Sequence, residues 1–354
     1  MSITDHLEAP YGERIHFNKQ LFEEQLDRFT AEAVQEFKGI TRQYALFHIC
    51  FFLLAIVELF AFVLFFSVLT KSTIFAFTLA GLFFTGFTYF VLHFYLQAKK
   101  PQQLMDLRSR FTEECKAALP FSPGESALHQ THANALYLLL SHLHRQEYKY
   151  YSLPSYFKTL APLMQKFSAW AHWKDLHQMK EILLHLIIKE YIEVVKLQPT
   201  DLETHANLAT AYLTLAKLYR DPRAIEPTEE YVWIAPAYHT ATMMEKFKRA
   251  ATRALDELRI LDTYAPGDRW VHMQLAMLYH DLEMPELELK EYELLMKVAP
   301  QDVDVMQCLG TLCFEQGKTA HGLQIYDALK KLQPAKAEEL LHHYGAFSED
   351  YLAH

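Results

Sequence analysis

The sequence predicts an all-α chain: a transmembrane helical hairpin followed by an α-solenoid of paired helices. Three observations carry this expectation. Only 10 glycines and 14 prolines occur in 354 residues, and apolar side chains recur every three to four positions, the period of an amphipathic helix. Between Tyr44 and Ala98 the only formal charges are Glu58 and Lys71. Pro266, Pro300 and Pro334 follow one another at intervals of 34 residues, a spacing that points to a repeated unit rather than to isolated helix stops.

Residues 1–44 are polar, with Phe22, Leu26, Phe29, Ala33, Phe37 and Ile40 at helical spacing, and predict an amphipathic helix. Residues 45–96 hold two apolar runs, "ALFHICFFLLAIVELFAFVLFFSVL" and "STIFAFTLAGLFFTGFTYFVLHFYL". Each is about 25 residues long, and roughly 20 suffice to cross a bilayer. Uniform apolarity on every side of a helix suits lipid better than a one-sided soluble core. The connection Thr70–Ser72 is short enough for a tight hairpin, so both chain ends lie on one side. Lys38, Arg42, Lys99, Lys100, Arg108 and Arg110 flank the open end and Lys71 the turn; the positive-inside rule makes this an integral membrane protein with both termini cytoplasmic.

Within the hairpin, Glu58 is an ionisable group near mid-membrane and a functional candidate on that ground. Thr78, Gly81, Thr85 and Thr88 form a small, hydroxyl-bearing stripe on the second span, so Glu58 is expected to meet Thr85 or to pack across a homo-oligomer. His48 and His93 are expected to face each other near the cytoplasmic interface. Residues 97–126 contribute a stalk helix (Leu104, Leu107, Phe111, Cys115, Ala118) packed antiparallel to the first helix, then the breaker-rich linker "LPFSPGES".

Residues 127–345 predict the helical repeats. Pro199, Pro266, Pro300 and Pro334 each close an apolar-periodic helix. In 303–334 the pattern reads Leu309-Gly310, Gly317 near a turn, Gly322, Tyr326, Leu329 and Pro334. In 269–300 it reads Leu275-Ala276, Tyr279, Tyr292, Leu295 and Pro300, with Glu288 where a small residue is usual. Leu208-Ala209 and Tyr212 open a further unit whose second helix carries Ala254, Leu258, Leu261 and Pro266, so 219–242 is an insertion holding Pro222, Pro227, Pro236 and the stretch "YVWIAP". "THAN" occurs at 131–134 and at 204–207, marking Ala127–Tyr148 as another first helix. Spans 155–168 and 173–197 complete the front end.

These motifs resemble the tetratricopeptide repeat. The resemblance covers about 200–334 well, 127–199 weakly, and none of the first 120 residues. It implies a curved array whose concave face is lined by the first helices and holds a peptide or partner helix, with catalysis uncommon. By repeat alignment the groove residues are Asn207, Thr210, Trp270, Met273, Gln274, Met277, Asp281, Gln307 and Phe314. The aligned positions carry no Lys or Arg but include Glu203, Asp281, Asp304 and Glu315, which disfavours a carboxylate-tail ligand and suits an apolar or basic protein segment. Trp270, Met273 and Met277 would anchor it.

The remaining chemistry is sparse. A net charge of −9, from 34 basic and 43 acidic residues, gives no basic surface for nucleic acid. Cys50, Cys115, Cys308 and Cys313 have no metal spacing, and no HExxH, CxxC or glycine-rich phosphate loop occurs. No enzyme and no cofactor is expected. The function read from the sequence is a membrane-anchored scaffold or adaptor that recruits a protein partner for assembly of a membrane complex, in contact with lipid and open to homo-oligomerisation through the hairpin. The alternative is a membrane-active or oligomeric pore or transport component with Glu58 as its working group. The paired apolar lobes also resemble, in hydropathy alone, the hairpins of effectors that intracellular bacteria insert into vacuole membranes.

Overall fold

A computed structural model describes residues 19–66, 74–122, 124–150, 161–224 and 233–352. Among these residues there are eleven α-helices and no strand. The hairpin connection Thr70–Ser72 and the insertion residues Pro227, Tyr231 and Val232 lie outside the described residues, as do 155–160.

The chain begins with two long helices, α1 (Lys19–Leu64) and α2 (Ile74–Ala118). The amphipathic, membrane and stalk segments expected as successive pieces are therefore the two ends of continuous helices. Even Pro101, which cannot donate a backbone N–H, lies inside α2. Continuity follows from sequence: between Phe22 and Leu64 the only glycine is Gly39 and there is no proline. The two helices change character along their length. At the polar end, Phe22, Leu26, Ala33, Phe37 and Ile40 of α1 and Leu104, Leu107, Phe111 and Cys115 of α2 are buried. At the other end the apolar windows of both helices bury nothing within the chain, and Phe83 is 70% exposed. Both helices are long and apolar enough to cross a membrane. An apolar surface this large is not sustained against water.

Two compact units follow from the contacts. The first comprises 1–197 with 221–237, the second 198–220 with 238–354. In the first unit the polar ends of α1 and α2 pack on α3 (Ser126–His142) and α4 (Ala161–Leu197). Thr41 Oγ1 lies 3.4 Å from Tyr150 Oη, and Lys100 Nζ donates to both oxygens of Asp175 at 2.9 Å. The spans expected at 155–168 and 173–197 correct to a single 37-residue helix over 161–197. "SAWAHW" contains neither glycine nor proline to stop it, and its buried Ser168 hydroxyl donates to the Glu147 carbonyl at 2.6 Å.

The second unit stacks helical pairs: α5 (Leu202–Tyr219) with α6 (Ala241–Tyr264), α7 (Arg269–Asp281) with α8 (Pro285–Val298), and α9 (Val303–Glu315) with α10 (Thr319–Leu332), closed by α11 (Pro334–Leu352). The first helices start alike. Asp201, Asp268 and Asp302, each two residues after a repeat proline, accept backbone N–H bonds from Thr204, Val271 and Val305 as N-caps. Such caps are worth about 1 kcal/mol each. The repeat apolar residues Leu208, Ala209, Ala254, Leu258, Leu261, Leu275, Ala276, Tyr279, Tyr292, Leu295, Leu309 and Leu329 are buried. Helix approach is closest where glycine allows it. A Cβ on Gly310 would meet Leu340 Cδ2 at 2.6 Å, and one on Gly322 would meet the Phe314 ring at 2.5 Å. The insertion interrupts one pair: its described parts are short turns at Pro222–Ala224 and Pro236–His239, while α5 and α6 pack directly on each other.

Candidate functional site

The outward face of the first helices in the second unit is built from α5, α7 and α9. On α7, Trp270 and Met277 are 39% and 44% exposed, one turn on either side of the half-buried Met273 and Gln274. The spacing of 270, 273 and 277 puts all three on one face of a helix. Met273 also packs against the core shared by α7 to α11, so it is partly structural. On α5, Asn207 is half-buried and Thr210 exposed, but the Thr210 hydroxyl donates to the Ala206 carbonyl at 2.8 Å.

Three of the aligned groove residues are occupied by the chain's own partners. Phe314 is buried and corrects to a core residue: its ring fills the space left by Gly322 and meets Tyr344 edge-on at 5.2 Å between centroids. The equivalent position one repeat earlier is His280, which faces Glu288 at 3.2 Å. The bulky–small pair Phe314–Gly322 is thus replaced by His280–Glu288, which explains how a glutamate occupies a position where a small residue is usual. Asp281 is paired with Arg220, and Gln307 Nε2 donates to Glu339 Oε2 at 3.0 Å. Asp304 is paired with Lys336. Asp281 and Asp304 therefore carry less uncompensated charge than the sequence suggests, and the apolar side chains of Trp270 and Met277 stand open on α7.

Behind this face lies a feature that the sequence reading missed. Buried histidines of first helices face glutamates of second helices, at equivalent positions in successive pairs. His205 Nδ1 donates to Glu257 Oε2 at 2.6 Å and its Nε2 faces the Pro199 carbonyl at 3.1 Å. His272 Nδ1 donates to Glu291 Oε2 at 2.7 Å. In the first unit, Glu190 receives Lys116 at 3.0 Å and His129 at 2.5 Å, and His132 Nδ1 lies 3.0 Å from it. Glu190, Glu257 and Glu291 each precede a repeat proline by nine residues. The signal was present in the twice-used "THAN" and in that fixed offset. Burial works against the charged forms, but at two of these groups the partners prevail: the pKa of Glu190 is held down to about 2 by His132, His129 and Lys116, and that of His205 is raised by Glu257 and the Pro199 carbonyl. In the next pair the same two positions are Met306 and Ile325, both buried. The slot is a packing position that accepts either an ion pair or two apolar side chains.

In the apolar half of the hairpin, Thr85 Oγ1 donates to Glu58 Oε1 at 2.8 Å, while Glu58 Oε2 is buried and bonds nothing among the described residues. His48 and His93 lie 5.3 Å apart between ring centroids. Tyr89 accompanies them, its hydroxyl 3.2 Å from His48 Nδ1 and its ring stacked on His93. Among the described residues no group of three or more His, Cys, Asp or Glu side chains could hold a metal ion.

No protein-family model matches the chain, and no curated protein matches it. Among solved structures, a chain described as "MamA RS-1 ArsTM double mutant" is similar over 66% of this chain and 96% of that one, at 12% identity and a TM-score of 0.32. A superposition that loose carries no argument about fold or function.

Proposed function

We propose that this protein is a membrane-anchored helical-repeat scaffold of the tetratricopeptide type, whose repeat unit holds a segment of another protein. The divisions are those of the sequence: an amphipathic helix in 1–44, a two-span hairpin in 45–96, a stalk and linker in 97–126, and repeats in 127–345. The observation that carries the reading is the open apolar face of α7, where Trp270 and Met277 remain exposed beside a well-packed core. Aromatic anchors dominate binding surfaces, and methionine adapts to varied partners. With Asp281 and Asp304 already paired to Arg220 and Lys336, the partner segment is apolar rather than basic.

Both chain ends sit on the cytoplasmic side. Lys100 and Arg110 face carboxylates of the chain, so the orientation rests chiefly on Lys38, Arg42, Lys99 and Arg108. Within the hairpin, the bond from Thr85 to Glu58 joins the two spans, in keeping with the modest strength of polar contacts between membrane helices.

The test is capture of partners by the full-length protein in detergent, wild type against Trp270→Ala with Met277→Ala. Both side chains are solvent-facing, so the fold is expected to survive. A partner bound through this face drops at least about tenfold in recovery, the loss of two anchors worth roughly 1 kcal/mol or more each. Equal recovery of every partner from both proteins would remove α7 from the binding surface.

A further inference from the structure

The start of α4 carries an exposed apolar stripe. Leu163 and Trp170 are 59% and 64% exposed, and Phe167 lies between them with its ring 6.0 Å from that of Trp170. The rotation of α4 is fixed by its other face: Ser168, Ala169 and His172 are buried, with Ser168 bonded to the Glu147 carbonyl and His172 stacked on Tyr150 at 4.1 Å. Leu163, Phe167 and Trp170 therefore point away from the packed side.

Two ion pairs fix where along α2 this stripe stands. Lys100 bonds Asp175, and Lys116 bonds Glu190. The steps are sixteen residues on α2 and fifteen on α4, so the two helices run parallel and nearly in register. Trp170, Phe167 and Leu163 precede Asp175 by five, eight and twelve residues, or about 7, 12 and 18 Å at the helical rise. The same steps back from Lys100 reach Tyr95, Leu92 and Thr88, inside the apolar run of α2, where Tyr95 and Phe94 are exposed. Lys174 on α4 comes level with Lys99 on α2, and both are exposed.

We infer that the N-terminal end of α4 is a third membrane contact: Trp170 seats in the interfacial layer of the same bilayer leaflet from which the hairpin emerges, and Phe167 and Leu163 reach below it toward the acyl chains. The inference depends on the hairpin reading given above. Its occupant is lipid because the stripe continues, at the same level, the exposed apolar band of α2. Tryptophan favours the zone between headgroups and acyl chains. Lys166, Lys174 and Lys99 can extend their charged ends to lipid phosphates. Such a contact would fix the first repeat against the membrane and leave it no freedom to swing about the stalk.

The test uses the full-length chain in vesicles of phosphatidylcholine and phosphatidylglycerol whose acyl chains carry a nitroxide near the headgroup or near the chain end. Trp170 is made the sole tryptophan by Trp173→Phe, Trp233→Phe and Trp270→Phe. Its emission is expected to be blue-shifted and quenched more by the nitroxide near the headgroup than by the one near the chain end. A companion chain with all four tryptophans replaced by Phe and with Phe90→Trp reports on the hairpin. Quenching of Phe90→Trp without quenching of Trp170 overturns the inference and leaves the hairpin standing. Quenching of neither removes the hairpin reading and the inference together. Trp170 shielded from aqueous acrylamide yet untouched by lipid nitroxide means that protein, a second copy included, covers the stripe, and the inference fails. As a check on the triple replacement, Trp170→Phe in the otherwise native chain should lose the component quenched from the headgroup level; retention of that component also overturns it.

Discussion

Glu283 and Gly317 occupy the same place in successive repeats, the turn between first and second helix. Both are left-handed, with φ of 58° and 70°. In each turn the next residue's N–H reaches back to close the helix, Met284 to the Tyr279 carbonyl at 2.9 Å and Lys318 to the Cys313 carbonyl at 2.8 Å. Glycine adopts this backbone without a Cβ penalty, whereas an L-residue there costs about 1 kcal/mol. Glu283→Gly is therefore expected to stabilise the protein by about 0.5 kcal/mol, after the greater freedom of glycine in the unfolded chain is subtracted. Gly317→Ala should destabilise it by about 1 kcal/mol. Thermal melting of the two variants checks the assignment, which fails if Glu283→Gly melts below wild type. Gly317 could be placed near a turn from sequence because glycine advertises the conformation. Glu283 could not: the chain reversal imposes its backbone, and nothing in the residue announces it. Phe314 was misplaced for a related reason. Repeat alignment fixes which way a position faces, but whether a side chain stays exposed there depends on the volume opposite, and Gly322 leaves room for the ring.

At the scale of helical pairs, the His–Glu contacts bind first helices to second helices in the interior, where an unpaired charge would be expensive. His205 has acceptors at both ring nitrogens, Glu257 and the Pro199 carbonyl. Burial disfavours its charge, but these acceptors prevail and its pKa in the folded protein is raised. The sign follows: its stabilising contribution is complete below the unfolded value of about 6.5 and disappears as pH rises through the higher folded value. Melting temperature should therefore fall more between about pH 6 and about pH 8 in the wild type than in His205→Gln. Parallel profiles for the two proteins would deny the pair a linked proton. The Met306–Ile325 pair in the following repeat shows why the sequence hid this feature. A slot that accepts either chemistry has no fixed residue type, and only the offset from the repeat prolines, together with the coordinates, reveals that the positions correspond. The repeat period and the apolar spine, by contrast, were readable because each rests on a local rule of spacing.

At the scale of the first unit, the feature that matters most is the junction between the long apolar helix α2 and α4, which packs along it. The sequence marked Lys100 as a topology signal and offered no partner for it. In the structure Lys100 bonds both oxygens of Asp175 at 2.9 Å and lies 4.2 Å from the centre of the Tyr44 ring. The Asp175 side chain is only 6% exposed. No helical period forecasts a pairing across 75 positions, because it is set by the packing of α4 along α2. Removing the lysine alone leaves a carboxylate buried without its cation, which typically costs about 3–5 kcal/mol, whereas replacing both partners by apolar side chains is often close to neutral. Lys100→Met should accordingly lower the stability of the detergent-solubilised protein by about 3 kcal/mol. Lys100→Met combined with Asp175→Leu should recover most of that loss. Chemical-denaturant midpoints of the wild type, both single variants and the double variant form the cycle that measures the coupling. Additive losses would mean that the two side chains do not act together, and that the register of α2 and α4 does not depend on this pair.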